Sequence, residues 1–336
     1  MTLNFPFSAI VGQQTMKQAL ILTAIDPFIG GVLVFGERGT GKSTIVRSLT
    51  ALLPEIRAVK GCPYNCHQVT EECPYCEDIQ KGKMEKKSTP IIDLPLGSTE
   101  DRVVGSLNLE IALSQGKKSF EPGLLAYANR GYLYIDEVNL LEDHIVDLLL
   151  DVAASGENLV EREGLSVKHK SRFVLVGSGN PEEGELRPQL LDRFGLSVEV
   201  KSPNTLPERI EVIKRRTKFD DKNQEFLNFW AKEDLKIRRK ILRAQKRLCE
   251  VESTDQILEK CAELCMELGA DGLRGELTLL RAAKAQAAFE NKTMIDIGHL
   301  RKVASICMGH RLRKDPLDDV GSSVRVEKTV EEILGK

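Results

Sequence analysis

The chain has 336 residues, of which 41% are hydrophobic and 29% charged, and its formal net charge is −2. This length predicts about two packed domains, each large enough to bury its own core. The near-neutral charge argues against nucleic acid as a partner, because DNA-binding domains usually carry a concentrated basic surplus. The sequence contains no apolar run long enough to span a membrane and no signal or transit pattern, so it predicts a cytoplasmic protein.

The first predicted elements are a helix over Gln14–Thr23 and a strand, Val32–Phe35, that leads into a glycine-rich loop. The loop, Gly36–Ser43, reads Gly-Glu-Arg-Gly-Thr-Gly-Lys-Ser and is followed by a predicted helix. Its glycines let the backbone wrap an anion, Lys42 reaches the β- and γ-phosphates, and the Ser43 hydroxyl can bind Mg²⁺. The sequence therefore predicts binding of a nucleoside triphosphate with Mg²⁺, at a site formed by Gly36, Gly39, Gly41, Lys42, Ser43 and Thr44.

The next segment, Arg57–Thr89, is rich in Cys, Lys and Glu and has little periodicity, which predicts an insertion loop on the nucleotide-binding core. It carries two close pairs of cysteines, Cys62, Cys66, Cys73 and Cys76. Four thiolates at this spacing can form a tetrahedral Zn²⁺ site, with His67 as an alternative ligand. An iron–sulfur site, a redox switch and unreactive thiols stay open as alternatives. The other cysteines lie in predicted helices and are expected to be small core residues: Cys249, Cys261, Cys265 and Cys307.

An acidic pair ends a later strand. After a predicted strand within Ile91–Pro95 and a predicted helix over Ser106–Ser114, the apolar strand Gly131–Ile135 ends in Asp136 and Glu137. In a domain that also contains a phosphate-binding loop, such a pair is typical of ATP hydrolysis. The Asp binds Mg²⁺ and the Glu polarises the attacking water. The two residues are therefore predicted to be catalytic, with Asp136 also a metal ligand.

A helix, a hairpin and another apolar strand follow the acidic pair. The helix is predicted over Leu141–Ala154, ended by Gly156, and the hairpin over Leu159–Val167. The strand Phe173–Val176 then leads to Asn180. An Asn at that strand end can orient the lytic water or contact the γ-phosphate, so Asn180 is predicted to be a sensor; the alternative is an Asn that satisfies its own turn.

The order of these motifs resembles that of the AAA+ ATPases. In this comparison the arginine of Leu190-Leu-Asp-Arg193-Phe194 matches the residue that acts on nucleotide bound to the neighbouring subunit, and Arg274 matches the second sensor arginine. The alternative for both arginines is a surface salt bridge. A closer resemblance is to the ATPase subunit I family of magnesium chelatase, carried by the motifs Phe5–Gln13, Asp93–Gly97, Thr99–Gly105, Phe120–Leu125, Ile135–His144 and Val176–Gly184.

This resemblance implies a fold and a function. The implied fold is an α/β AAA+ P-loop core, with a parallel sheet flanked by helices, and a C-terminal helical domain. The implied function is that of an ATP-driven ring subunit, a hexamer, which with D and H subunits powers insertion of Mg²⁺ into protoporphyrin IX for chlorophyll or bacteriochlorophyll. The second candidate function is a remodelling ATPase of the MoxR type that acts on another protein.

The resemblance and the charge pattern together predict three parts of the chain. The AAA+ domain is predicted over residues 1–205, with the cysteine insertion near 57–90, linker helices over 206–245 and the helical domain over 246–336. Between Pro207 and Arg247 positive and negative charges are mixed, which is typical of a solvated helix face rather than a nucleic-acid groove. Aromatic residues make up only 5% of the chain, so the porphyrin pocket is expected on a partner.

Overall fold

A computed structural model describes residues 4–37, 39–69, 73, 75–76, 83–108, 110, 113–114, 119–162, 165–180, 186, 188–191, 193–270, 272–312 and 322–335. The chain divides into two compact units. The first comprises Met1–Leu52 and Asn180–Lys336, and the second comprises Leu53–Gly179. None of the described helices combines the length and the apolar composition that a membrane-spanning helix needs.

The described residues form eleven strands. They are β1 (Gly31–Gly36), β2 (Glu55–Val59), β3 (Met84–Ser88), β4 (Ile91–Leu94), β5 (Gly105–Leu107), β6 (Phe120–Pro122), β7 (Tyr132–Ile135), β8 (Glu157–Arg162), β9 (Leu165–Lys170), β10 (Val174–Gly179) and β11 (Phe194–Val200).

Twelve α-helices have both of their ends within the same residues. They are α1 (Gln14–Ile25), α2 (Lys42–Ser48), α3 (Glu100–Val104), α4 (Leu124–Ala128), α5 (Asp143–Ser155), α6 (Pro188–Leu191), α7 (Leu206–Asp220), α8 (Gln224–Arg247), α9 (Asp255–Glu267), α10 (Arg274–Phe289), α11 (Ile297–Met308) and α12 (Ser322–Leu334). Short 3-10 turns occur at Phe7–Ala9, Pro27–Ile29, Leu49–Ala51, Val138–Leu140 and Leu248–Glu250.

The first unit contains a parallel pair of strands and most of the helices. Strands β1 and β11 pair in parallel, and their inner residues are almost all buried because helices cover them. Helices α1, α8 and α10 pack on one another, and α11 packs against both α10 and β11. Three of the cysteines predicted to be core residues are buried, Cys261 and Cys265 on α9 and Cys307 on α11. In contrast, no residue of α7 is buried, which confirms the predicted solvated face there.

The second unit contains three further parallel strands and three hairpins. Strand β7 lies between β4 and β10 and pairs in parallel with both. The antiparallel pairs are β2 with β3, β5 with β6, and β8 with β9. Helix α5 ends at Gly156, whose φ of 71° lies in the left-handed region that favours glycine.

Most of the predicted elements are confirmed, and three expectations are wrong wholly or in part. The helices near 14–23 and 141–154, the strands near 32, 91, 131 and 173, and the hairpin over 159–167 are all present, although the hairpin's turn lies outside the described residues. The segment Arg57–Thr89 is not only a loop, because its two ends pair as β2 and β3. The helix predicted over Ser106–Ser114 is wrong at its start, because Ser106 and Leu107 belong to β5, whereas Glu110, Leu113 and Ser114 are helical and residues 109, 111 and 112 lie outside the described residues. Cys249 is exposed rather than a core residue.

Candidate ATPase site and cysteine cluster

The phosphate-binding loop begins at Gly36, where the backbone of β1 lies close to that of β11. A Cβ added to Gly36 would lie 2.2 Å from the carbonyl oxygen of Val200 on the adjacent strand, so only glycine fits. At the other end of the loop, Gly41 has a φ of 84° and directly precedes α2. These two glycines let the chain turn sharply from strand to helix, which is the backbone shape that a bound phosphate requires.

Side chains of the loop hold it in place. The Lys42 ammonium donates to the carbonyl oxygens of Gly36 and Glu37, and the Thr40 hydroxyl donates to Glu37 at 2.9 Å. The ammonium group therefore lies across the loop, where it would meet the phosphates of a nucleotide. Ser43 is partly buried in the first turn of α2, and Thr44, which follows it, is exposed. The residues present fit a triphosphate and its Mg²⁺.

The carboxylate of Asp136 is held by two hydroxyl groups of the second unit. Ser178 Oγ donates to Asp136 Oδ1 at 2.5 Å, and the Tyr134 hydroxyl donates to the same oxygen at 3.0 Å. The two hydroxyls are themselves 3.1 Å apart. Parallel pairing of β7 with β10 brings them together, since Ile135 lies opposite Gly177. The carboxylate is exposed, so Asp136 is fixed and remains accessible to a cation.

Glu137 has an unusual backbone. Its φ of 53° and ψ of 56° place it in the left-handed region, where a residue with a Cβ is disfavoured by about 1–2 kcal/mol. Its N–H donates to Ser178 Oγ at 3.4 Å, and the 3-10 turn Val138–Leu140 follows. The side chain is partly exposed. Strained conformations of this kind cluster at functional sites, which agrees with the predicted catalytic role of Glu137.

The remaining predicted residues lie at three separate places. Asn180 follows directly after β10 and is 7% exposed. Arg193 is partly exposed in the turn before β11, and Arg274 is exposed as the first residue of α10. Among the described residues, no hydrogen bond or ion pair involves the Arg193 guanidinium.

The four cysteines of the insertion form one compact cluster. Their sulfur atoms all lie within 4.8 Å of one another. Cys62 Sγ is 3.8 Å from both Cys73 Sγ and Cys76 Sγ. Cys62, Cys73 and Cys76 are buried, and Cys66 is partly exposed. The alternative ligand considered from the sequence, His67, is not a member of this group.

Backbone turns and a polar network support the cluster. Asn65 N–H donates to Cys62 O, and Cys76 N–H donates to Cys73 O, which closes a tight turn in each cysteine pair. The side-chain amide of Asn65 donates to the carbonyl oxygens of Tyr127 and Asn129, both at 2.9 Å. These contacts fix the cysteine segment to the end of α4.

The pKa values of Cys62, Cys66 and Cys76 are shifted by their surroundings. Hydrogen bonds from Cys66 and Cys73 lower the pKa of Cys62 to about 2. The hydrogen bond from Cys66 to Cys62 raises the pKa of Cys66, and burial raises the pKa of Cys76 to about 12. The cluster thus stabilises an anionic sulfur at Cys62, and the thiolate is the form of cysteine that binds metal ions.

A comparison with known proteins decides the family. The family profile described as "Magnesium chelatase, subunit ChlI" matches residues 6–186, which is more than half of the chain. The chain belongs to the magnesium chelatase subunit ChlI family. A second profile, "AAA lid domain", matches residues 258–333.

Individual relatives of the ChlI family agree with this assignment. The "Magnesium-chelatase 38 kDa subunit" of Cereibacter sphaeroides is 64% identical over 330 residues, which cover 98% of each chain. The protein of the same name from Rhodobacter capsulatus is 63% identical and covers 98% of this chain and 94% of its own. A solved structure, described as a complex between subunits BchI and BchD of magnesium chelatase, contains a chain that is 58% identical. That chain matches 98% of this one and 99% of its own length, with a TM-score of 0.56.

Several predictions from the sequence are confirmed by membership of the ChlI family. The fold is the predicted AAA+ fold with parallel strands flanked by helices and a C-terminal helical domain. The chain is an ATPase component of magnesium chelatase, and the MoxR-type alternative has less support. ATP and Mg²⁺ fit an AAA+ protein of this family.

The sequence did not indicate Tyr134 and Ser178. One signal was present: Tyr134 lies on β7, two residues before Asp136, which directly follows the strand, and side chains two apart in an extended chain share a face. Ser178 carried no local signal, because its closeness to Asp136 depends on the register between β7 and β10. Both residues donate hydrogen bonds to the carboxylate of Asp136.

Proposed function

We propose that this chain is the motor subunit that hydrolyses ATP to drive insertion of Mg²⁺ into protoporphyrin IX. The observation that carries the proposal is the fixed carboxylate of Asp136, held by two hydroxyl groups in a chain of the magnesium chelatase family. A carboxylate that is already oriented needs little rearrangement when it meets a cation, which is a general requirement of efficient catalytic sites.

The proposed site residues have distinct roles. Lys42 and the backbone N–H groups of Gly36–Ser43 bind the phosphates of ATP, while Glu137 orients the attacking water and accepts its proton. Ser43 and Asp136 would hold the Mg²⁺ that accompanies ATP, which neutralises phosphate charge when bound. Asn180 would sense the γ-phosphate, and Arg274 would report nucleotide state to the C-terminal helices.

Assembly is part of the proposal. We propose a hexameric ring in which Arg193 of one protomer acts on ATP bound to the next, so that hydrolysis depends on assembly. The complex described for the 58% identical structural relative supports a D subunit as a partner, and an H subunit would hold the porphyrin. The domain limits at residues 205 and 245 stay predictions; the lid profile over 258–333 supports a separate helical part.

Reconstitution tests this function. The purified chain is mixed with D and H subunits, ATP, Mg²⁺ and protoporphyrin IX, and the absorption of the metallated porphyrin is followed. We expect metallation that requires both ATP and this chain, and that is lost when Lys42→Ala replaces the wild type, because the ammonium that meets the phosphates is removed. ATP hydrolysis without any metallation in the complete mixture would contradict the proposed function.

We further propose that the cysteine cluster binds one Zn²⁺ ion. Four thiolates placed about 2.3 Å from a tetrahedral zinc lie about 3.8 Å from one another. The distance from Cys62 Sγ to both Cys73 Sγ and Cys76 Sγ is 3.8 Å. An iron–sulfur cluster would hold some of its thiolates farther apart, because its four cysteines bind two or more different iron atoms. The close spacing therefore supports a single ion. Thiolate ligands persist in a reducing compartment, which supports the expected cytoplasmic location.

Metal analysis of the purified protein tests the zinc site. We expect about one zinc per chain and no iron. Cys73→Ser should lose the zinc and lower the melting temperature, because metal binding to such a site contributes directly to folding. The matched control is Cys249→Ser, which replaces an exposed cysteine outside the cluster and should keep the zinc. Wild-type protein without zinc, or with iron in its place, would rule out this site.

A further inference from the structure

The carbonyl oxygen of Phe194 accepts two hydrogen bonds from the segment that follows α11. His310 Nε2 lies 2.9 Å from this oxygen, and Arg311 Nη2 lies 3.0 Å from it. Phe194 begins β11, against which α11 packs, and it directly follows Arg193 in the chain. Two side chains from a distant part of the sequence, 116 and 117 residues away, therefore fix the backbone next to Arg193.

The same backbone is fixed from a second side by the turn before β1. A Cβ added to Gly195 would lie 2.0 Å from the carbonyl oxygen of Ile29, so the two backbones touch and leave no room for a side chain. A Cβ added to Gly30 would lie 3.4 Å from the carbonyl oxygen of Arg193 itself. The N–H of Arg193 donates to Leu190 O at 3.1 Å. These contacts leave the backbone of Arg193 little freedom.

The imidazole of His310 is a neutral donor. Its Nδ1 is buried and has no hydrogen-bond partner among the described residues. Burial and the neighbouring Arg311 guanidinium lower the pKa of His310 to about 4. At neutral pH the ring therefore carries one proton, and the contact with Phe194 O requires that proton on Nε2.

We propose that His310 and Arg311 are positioning residues. By fixing the backbone at Phe194, they determine how closely the Arg193 guanidinium approaches ATP bound to the neighbouring protomer. This inference rests on the in-trans role of Arg193 proposed above. A guanidinium stabilises a transferring phosphoryl group only at close range, and a misplacement of about 1 Å can lower a rate by about a hundredfold. Because His310 and Arg311 follow α11, a shift of α11 along β11 also moves Arg193, which links the C-terminal helices to hydrolysis.

A mixing experiment tests the inference with full-length protein. Glu137→Gln chains cannot hydrolyse ATP but still provide a normal Arg193 to their neighbours. Arg193→Ala chains have the opposite defect, so a mixture of the two should recover activity. We expect His310→Ala to lower kcat at least about tenfold with little change in KM. The activity of His310→Ala should recover when it is mixed with Glu137→Gln chains. The hydrolytic site of the His310→Ala chain is intact, and the neighbouring Glu137→Gln chain supplies a correctly placed Arg193.

Three further variants separate positioning from general damage. His310→Gln keeps an N–H donor and should retain most of the activity, and Arg311→Ala tests the second hydrogen bond should His310→Ala fail to fold. The matched control is His299→Ala, which removes a buried imidazole at the start of α11. This imidazole accepts a hydrogen bond from the backbone N–H of the capping residue Asp296 and, among the described residues, is not hydrogen-bonded to Phe194. If His299→Ala lowers kcat, mixing it with Glu137→Gln chains should not restore the activity.

The outcomes distinguish the inference from the function on which it rests. An active Arg193→Ala variant would overturn the in-trans role itself. An inactive Arg193→Ala variant together with fully active His310→Ala and Arg311→Ala variants would overturn the positioning role alone. The positioning role is also overturned when His310→Ala loses activity that mixing with Glu137→Gln chains does not restore. It is overturned as well when His299→Ala loses activity that the same mixing does restore.

Discussion

Arg193→Ala is expected to lower ATP turnover by about a thousandfold or more while the affinity for ATP changes little. A guanidinium donated by a neighbouring subunit stabilises negative charge that develops on the transferring phosphoryl group, and this charge is absent from bound ATP. The loss should therefore appear in kcat and not in nucleotide affinity. The partly exposed position of Arg193, with no described residue bonded to its guanidinium, is consistent with a partner on another protomer.

Two measurements check this expectation. Steady-state hydrolysis gives kcat and KM, and titration with a fluorescent ATP analogue gives the affinity. Arg209→Ala serves as a control, because Arg209 is an exposed arginine of the same unit whose guanidinium, among the described residues, donates a local hydrogen bond to Pro203 O. The wild type should also lose specific activity on dilution as rings dissociate. Full turnover by Arg193→Ala, or by a monomeric wild type, would show that hydrolysis does not need an arginine from the neighbour.

The phosphate-binding loop and the acidic pair could be predicted because their chemistry is encoded in short stretches of sequence. Gly36–Ser43 contains its glycines, lysine and hydroxyl within eight residues, and the apolar strand β7 leads directly into Asp136 and Glu137. In both cases the flanking strand or helix follows from local hydrophobicity. The chemistry of such motifs can be predicted without knowing the contacts between distant parts of the chain.

Contacts between distant residues could not be predicted in this way. Ser178 reaches Asp136 only because β10 pairs with β7 in one particular register, and a shift of one residue would point its side chain to the other face. His310 reaches Phe194 through helix packing across 116 residues. Neither relation leaves a periodic or compositional trace in the sequence.

The errors in the secondary-structure predictions also have physical causes. Most residues of β2 and β3 are polar, and only Ala58 and Val59 are buried. The alternation of apolar and polar residues that indicates a strand is therefore weak. The cysteine cluster lies between the two strands in the chain. Cys249 lies in a 3-10 turn just beyond α8, where the chain leaves the helix and its side chain becomes exposed.

Replacing Glu137 by Gln is expected to lower ATP hydrolysis by about a hundredfold to ten-thousandfold while ATP binding is retained. The amide has nearly the shape of the carboxylate, so the left-handed backbone at this residue and its N–H contact with Ser178 should persist. An amide cannot accept the proton of the attacking water. The bound nucleotide should therefore remain uncleaved, and the ring should be trapped in its ATP state.

Single-turnover hydrolysis and analysis of the retained nucleotide measure this effect. The matched control is Glu142→Gln, the same chemical change five residues later on an exposed side chain that lies 3.5 Å from His144. An exposed ion pair contributes at most about 1 kcal/mol, so this control should hydrolyse ATP at the wild-type rate. If Glu137→Gln kept more than about a tenth of the wild-type rate, another group would have to activate the water. Asn180 is the predicted residue whose amide could still orient it, and the double variant Glu137→Gln with Asn180→Ala would then identify that path.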